Sequence, residues 1–115
     1  MWIFGKSGII KANLKAYFKA RKQGFSIDQS LTWIVKSRYP ESLHHQSMVM
    51  EQYLDLEKLG YSLETEEEKV VALVQTIVEY ETPSKMEALP GWNGAEKIKK
   101  EISGLYHRML LSFAK

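Results

Sequence analysis

The stretch TEEEKVVALVQTIVEYE, residues 65–81, decides the fold class of this chain. Thr65 and Glu68 form a capping-box pair, because the side chain of each can bond the backbone N–H of the other at the start of a helix. The apolar residues that follow recur at i, i+3, i+4, i+7 and i+8, which is the period of a helix and not of a strand. They are Val70, Leu73, Val74, Ile77 and Val78. We therefore predict a helix over 65–81, although most of these residues are β-branched.

The residues before this helix predict two more helices close to the start of the chain. Gly24 can adopt the left-handed conformation that ends a helix, so a first helix is predicted over 7–23. Ser26 and Gln29 form a second capping-box pair, which predicts the start of a helix over 26–39.

Two further helices and a linker complete the predicted order of elements. Pro40 ends the second helix and suits the first turn of a third, which is predicted over 40–59 and stops at Gly60. Apolar residues cover a wide arc of this third helix, so we predict that it is the central helix of the core. Two prolines and two glycines in residues 82–94 predict a linker, and a strongly apolar face predicts the last helix over 94–114.

Length and composition support one folded domain. The chain has 115 residues, of which 44% are hydrophobic and 26% charged, and this composition is typical of a globular protein. We therefore predict an all-α fold, a compact bundle of about five helices in a single domain over residues 1–115.

The chain contains no cysteine, which excludes disulfides and thiolate metal sites and favours a reducing compartment. No segment approaches the ~20 consecutive apolar residues of a membrane span, and lysines interrupt the first residues where a secretory signal would need an apolar run. Trp2, Ile3 and Phe4 are expected to pack against the bundle and not to anchor it in a membrane. We expect a cytoplasmic protein.

Charge is distributed unevenly along the chain. Residues 1–40 contain eight Lys or Arg and one acid, whereas residues 41–82 contain two basic and ten acidic residues. Lysines of the first helix form a stripe that has two interpretations. In the first, it is a solvated face, partly neutralised in the fold by the acidic middle of the chain. In the second, it is a surface for an anionic partner. The stripe consists of Lys11, Lys15, Lys19 and Lys22.

Three large residues are candidate anchors of an interface. Trp33 lies away from the apolar stripe of the second helix, and Trp92 lies in a glycine-flanked segment. Met48 lies outside the apolar arc of the third helix. All three could equally fill gaps between helices.

No motif in the sequence specifies a reaction. Glu41 and His44 have the Glu-x-x-His spacing of a metal-binding helix pair, but a di-metal bundle needs a second such pair and two more carboxylates. A solvated pair is the expected state, and we predict no cofactor and no metal site. No nucleophile signature organises Ser, His and Asp, so catalysis has no positive support, although a fold can bring distant catalytic residues together.

These observations rank three functions. We expect a small helical interaction or accessory protein that acts through apolar and aromatic surface on a protein partner or as a homodimer. The alternative is electrostatic, non-specific binding of nucleic acid through the basic first helix. A small catalytic or ligand-binding bundle comes third.

Overall fold

Five α-helices make up the part of the chain that the computed structural model describes, residues 5–82 and 94–113. No strand is present in these two ranges. The predicted all-α bundle of about five helices is therefore confirmed. The elements are α1 (Gly5–Lys22), α2 (Ile27–Arg38), α3 (Leu43–Asp55), a 3₁₀ turn (Glu57–Leu59), α4 (Glu66–Glu81) and α5 (Gly94–Phe113).

Local signals set the helix boundaries as predicted at two places. The Ser26 hydroxyl accepts from the backbone N–H of Gln29 at 3.1 Å, and the Gln29 side chain accepts from the backbone N–H of Ser26 at 3.0 Å. Thr65 and Glu68 form the same reciprocal pair, at 3.1 and 2.9 Å. Both capping boxes satisfy donors that the first turn of a helix leaves unpaired.

The two glycines predicted to end helices are both left-handed. Gly24 has φ of 95° and Gly60 has φ of 96°. Residues with a side chain rarely adopt this conformation, because Cβ approaches the backbone too closely.

The predicted start and end of the third helix were wrong. The helix begins at Leu43 and not at Pro40, because the Ser42 hydroxyl accepts from the backbone N–H of His45 at 3.1 Å and so caps the first turn. The regular helix ends at Asp55, where the N–H of Leu56 bonds to Tyr53 three residues back and tightens the chain into a 3₁₀ turn.

The predicted central role of the third helix was also wrong, because α4 occupies the centre. α4 contacts α1, α2, α3 and α5, whereas among the described elements α3 contacts only α2, α4 and the 3₁₀ turn. α4 is apolar on almost all sides and buries eight residues, and such a helix requires neighbours around its whole circumference. α3 buries Val49 and Tyr53 alone and exposes Leu43 and Leu54.

The core forms around α4. Its fully buried side chains come from all five α-helices and include Ile10, Leu14, Tyr17, Ile34, Val49, Leu73, Ile77 and Ile102. None of the helices in the described ranges is long and apolar enough to cross a membrane. The predicted linker over 82–94 and the predicted packing of Trp2, Ile3 and Phe4 lie almost wholly outside these ranges.

We expect Leu73→Ala to lower the free energy of unfolding by about 2–5 kcal/mol, because Leu73 is fully buried in α4 and its removal leaves a cavity. Urea unfolding followed by circular dichroism measures the change. Leu111→Ala is the matched control, since Leu111 is 70% exposed on α5 and its truncation should change stability by less than about 0.5 kcal/mol. Equal stabilities of the two variants would contradict the central place of α4.

Candidate functional site

The four predicted lysines lie along one exposed face of α1. The opposite face of the same helix is buried in the core, through Ile10, Leu14 and Tyr17 among others. The lysine stripe extends over about 16 Å, since an α-helix rises ~1.5 Å per residue. Within residues 5–82 and 94–113, none of the four lysines forms an ion pair.

The acidic middle of the chain is paired with arginines of the basic first third. Arg21 of α1 lies 3.2 Å from a carboxylate oxygen of Glu66, and the Arg38 guanidinium donates to both carboxylate oxygens of Glu81. Basic and acidic side chains of these two segments therefore form ion pairs at two places in the fold. The lysine stripe remains positive and accessible.

The first of these pairs belongs to a cluster that joins α1 to the start of α4. The Tyr17 hydroxyl donates to the same Glu66 oxygen that Arg21 contacts, and a second Arg21 nitrogen donates to the carbonyl of Phe25 at 2.8 Å. Burial, together with the hydrogen bond to the Glu66 carboxylate, raises the pKa of Tyr17 well above its usual value. Tyr17 is therefore a fixed donor that positions α1 and not an acid–base group.

The second pair belongs to a cluster at the other end of α4. Arg38 Nε donates to Glu81 Oε2 at 2.7 Å, and the Tyr39 hydroxyl donates to the same oxygen at 2.6 Å. Burial opposes ionisation of Glu81, but the hydrogen bonds from Arg38 and Tyr39 outweigh it and hold the pKa of Glu81 below its usual value. The carboxylate therefore stays ionised and holds the end of α2 against the end of α4.

His45 lies beside this cluster. Its Nδ1 shares a hydrogen bond with the Tyr80 hydroxyl, and its ring centroid lies 5.7 Å from those of Tyr39 and Tyr80. Aromatic rings lie on two sides of the imidazole, and the Glu81 carboxylate is near enough to interact with it electrostatically. The described residues contain no group of three or more His, Asp or Glu side chains that could hold a metal ion, and Glu41 and His44 are both exposed.

A Ser, a His and a Glu also meet between α4 and α5. The Ser103 hydroxyl donates to Glu67 Oε2 at 3.0 Å, and His107 Nε2 lies 3.1 Å from the same oxygen. A nucleophilic serine needs a general base as its own hydrogen-bond partner, with the carboxylate behind that base. Here the carboxylate lies between the serine and the imidazole, so the arrangement joins two helices and does not activate the hydroxyl.

The cavity beside Glu67 is small. It encloses about 210 Å³ between α4, α5 and the end of α3, with an apolar floor that includes Leu56 and Val71. Sites for drug-sized ligands usually measure ~300–1,000 Å³. We therefore assign no ligand to it.

An open aromatic cleft lies on the outer face of α2. Trp33 is 43% exposed, and its ring meets that of Phe25 edge to face at a centroid distance of 6.3 Å. The cleft has a volume of about 380 Å³. It is lined by Phe25, Asp28, Gln29, Thr32, Trp33 and Lys36.

Two of the three predicted anchors lie in the described part of the chain. Trp33 lies in the aromatic cleft, Met48 is 36% exposed on α3, and Trp92 lies outside the described residues. The partner of Trp33 in the cleft is Phe25, which was not among the predicted anchors. Its position directly before the helix-capping Ser26 was the available signal, because an apolar residue there often packs against its own helix.

We expect Glu81→Gln to destabilise the protein by about 1–3 kcal/mol at pH 7, because it removes the charge that accepts from Arg38 and Tyr39. The folded pKa of Glu81 lies below the unfolded value, so the stabilisation is present above about pH 4.5 and is lost as the pH falls through the folded pKa. Urea unfolding at pH 7, 5 and 3.5 should therefore show the difference from wild type shrinking at the lowest pH.

Glu96→Gln is the control for this experiment, since Glu96 is exposed on the first turn of α5. Its effect should stay below about 1 kcal/mol, the usual size of an interaction between an exposed charge and a helix end. A Glu81→Gln protein with the same stability difference at all three pH values would contradict the role of the ionised carboxylate.

Comparison with protein-family models, with curated proteins and with solved structures finds no match to this chain. The lysine stripe and the aromatic cleft are therefore the features of the chain itself from which its function can be inferred.

Proposed function

We propose that this chain is a small helical interaction protein that binds a protein partner through the aromatic cleft of α2. The observation that carries the proposal is the exposed Trp33 ring held against Phe25. Tryptophan is among the residues that contribute most to protein interfaces, because it buries a large apolar area and keeps one polar N–H.

The contact with Phe25 also reduces the cost of binding. A side chain that is already held by a neighbour loses less rotamer freedom when a partner covers it, and the saving is about 0.5–1.5 kcal/mol for a mobile side chain. Trp33 also lies in the middle of a regular helix, α2, and a rigid element fixes the position of its side chains better than a loop does.

The rim of the cleft defines the chemistry of the partner. Asp28 and Lys36 bring one charge of each sign, and Gln29 and Thr32 bring neutral polar groups. This arrangement suits a segment with an apolar side chain that enters between Phe25 and Trp33 and polar groups that reach the rim. An apolar centre with a polar edge is the usual anatomy of a protein interface.

Site-specific photocrosslinking in the cells that make the protein tests the cleft. A photoreactive side chain at Thr32, on the cleft, should capture one defined partner, whereas the same side chain at Gln52, which is exposed on α3, should not. Once the partner is identified, we expect Trp33→Ala to weaken its binding at least about tenfold, which is the usual effect of removing a central aromatic anchor.

Leu111→Ala is the matched control for Trp33→Ala, because it removes an exposed apolar side chain from a different helix, α5. Equal affinities of the Trp33→Ala variant and wild type for the captured partner would refute the proposal. Capture of the same proteins from Thr32 and from Gln52 would refute it too.

A second candidate function is binding of nucleic acid through the lysine stripe. It is favoured by the position of the stripe, which is exposed and carries no ion pair in the part of the chain described. A membrane surface fits less well, because the apolar residues of α1, such as Leu14 and Tyr17, are buried in the core and cannot enter a lipid interface.

We expect the stripe to bind random-sequence duplex DNA weakly, with log K falling by up to about 3.6 per tenfold increase in salt when all four lysines meet phosphates. Replacing all four lysines of the stripe by Gln should remove the binding. The control replaces four exposed lysines elsewhere, Lys36, Lys58, Lys97 and Lys100, and so changes the net charge by the same amount. Equal loss in both variants, or no binding at low salt, would exclude the stripe as a nucleic-acid site.

A further inference from the structure

The outer face of α3 carries an apolar stripe that no other helix of the described chain covers. Leu43, Met50 and Leu54 form it together with the small polar residue Ser47; the four are spaced by four, three and four positions along the helix, and we name them the α3 seam. Leu43 is 77% exposed and Leu54 is 56% exposed, while Met50 lies partly against the core. This spacing places all four on one side of the helix, as in helices that pack side by side in a coiled coil.

The seam is distinct from the face that attaches α3 to the bundle. Val49 and Tyr53 provide that attachment and are buried. The two exposed leucines lie one near each end of the helix, and each would be stabilised by burial against another apolar side chain.

We propose that the α3 seam is the interface of an antiparallel homodimer, in which it packs against the seam of a second copy. A two-fold axis that crosses the helix pair near residues 48 and 49 sets Leu43 opposite Leu54 of the partner subunit. The same axis sets Ser47 opposite Met50 of the partner subunit. The stripe is therefore self-complementary, with leucine on leucine at both ends and a small residue facing a large one between them.

The pairing of an imidazole N–H with a carboxylate favours a second copy as the occupant and the antiparallel order as its orientation. A two-fold axis perpendicular to both helices keeps each flank of the seam on the same side, so His44 approaches Glu51 of the partner subunit. Both side chains are exposed, and Glu51 forms no ion pair within the described ranges. Parallel packing would instead put His44 and Glu51 of the partner subunit on opposite flanks of the seam, out of contact.

The dipole charges at the ends of α3 also favour the antiparallel order. Its first turn contains no acid and its last turn no base, so neither end of the helix dipole is compensated within the helix. In the antiparallel pair the positive start of α3 lies near the acidic end of the partner's α3. The negative end near Asp55 is already approached by Lys58, at 3.4 Å.

The expected dimer is weak. α3 has 13 residues and is about 20 Å long, and a contact between two such helices buries less than the ~1,200 Å² of a standard interface. Leu59 and Tyr61 are exposed just after α3 and add apolar surface at that end. We therefore expect a dissociation constant in the micromolar range.

This inference rests on α3 alone and does not depend on the cleft of α2. Trp33→Ala should leave the dimer unchanged, so failure of the α2 proposal and failure of the α3 proposal are distinguishable.

Sedimentation equilibrium between about 5 µM and 500 µM, a range that brackets a micromolar dissociation constant, tests the dimer with a charge-swap pair. Leu43→Glu and Leu54→Arg should each raise the dissociation constant at least about tenfold, since each sets a charge against a leucine of the partner subunit. The double variant Leu43→Glu/Leu54→Arg should dimerise again, because each introduced carboxylate then faces an introduced guanidinium of the partner subunit. A parallel dimer would not recover, because like charges would meet.

The control Leu111→Glu sets a charge at an exposed leucine of α5 and should leave the dimer intact. Both seam leucines are exposed, so circular dichroism and thermal melting should be close to wild type in all variants. A wild-type monomer throughout the concentration range would overturn the proposal. Dimers that survive both single changes, or single changes without recovery in the double variant, would overturn it as well.

Discussion

The whole structure depends on the burial of α4 by four other helices. Its aliphatic residues cover most of its circumference and leave only a narrow polar strip, which includes Gln75 and the exposed Glu79, so helices must pack around the rest. This requirement explains why α1, α2 and α5 each turn one apolar face inward. It also explains why α3, the helix with the smallest buried face, keeps apolar surface exposed at Leu43 and Leu54.

The two ends of α4 are fixed by polar contacts of different physical character. Glu66 is at the start of the helix, where the dipole favours a negative charge, and the hydrogen bonds from Tyr17 and Arg21 stabilise that charge further. Glu81 is at the end, where the dipole opposes a negative charge, so its ionisation depends on Arg38 and Tyr39. The second cluster therefore compensates an electrostatic cost that the first does not have.

Much of the fold could be predicted from sequence because its signals are local. The capping boxes at Ser26 and Thr65 and the left-handed Gly24 involve residues only a few positions apart. The central place of α4 could not be predicted in this way. In the sequence, apolar residues cover a wide arc of both α3 and α4, and only the tertiary contacts show which of the two helices is surrounded. The Tyr17–Glu66 and Tyr39–Glu81 bonds join residues 49 and 42 positions apart and carry no local signal. The lysine stripe was visible in the sequence because its residues recur at helical spacing, whereas the pairing of Phe25 with Trp33 depends on how the residue before α2 folds back onto the helix.

The peripheral position of α3 has a consequence for local opening. Detaching α3 exposes Val49 and Tyr53 and breaks the contact of His45 with Tyr80, but it leaves the clusters at both ends of α4 in place. Detaching α1 or α2 would break one of those clusters and uncover the core. Amide protons of α3 should therefore exchange with solvent through a small, low-energy fluctuation, while those of α4 exchange only when the bundle unfolds as a whole.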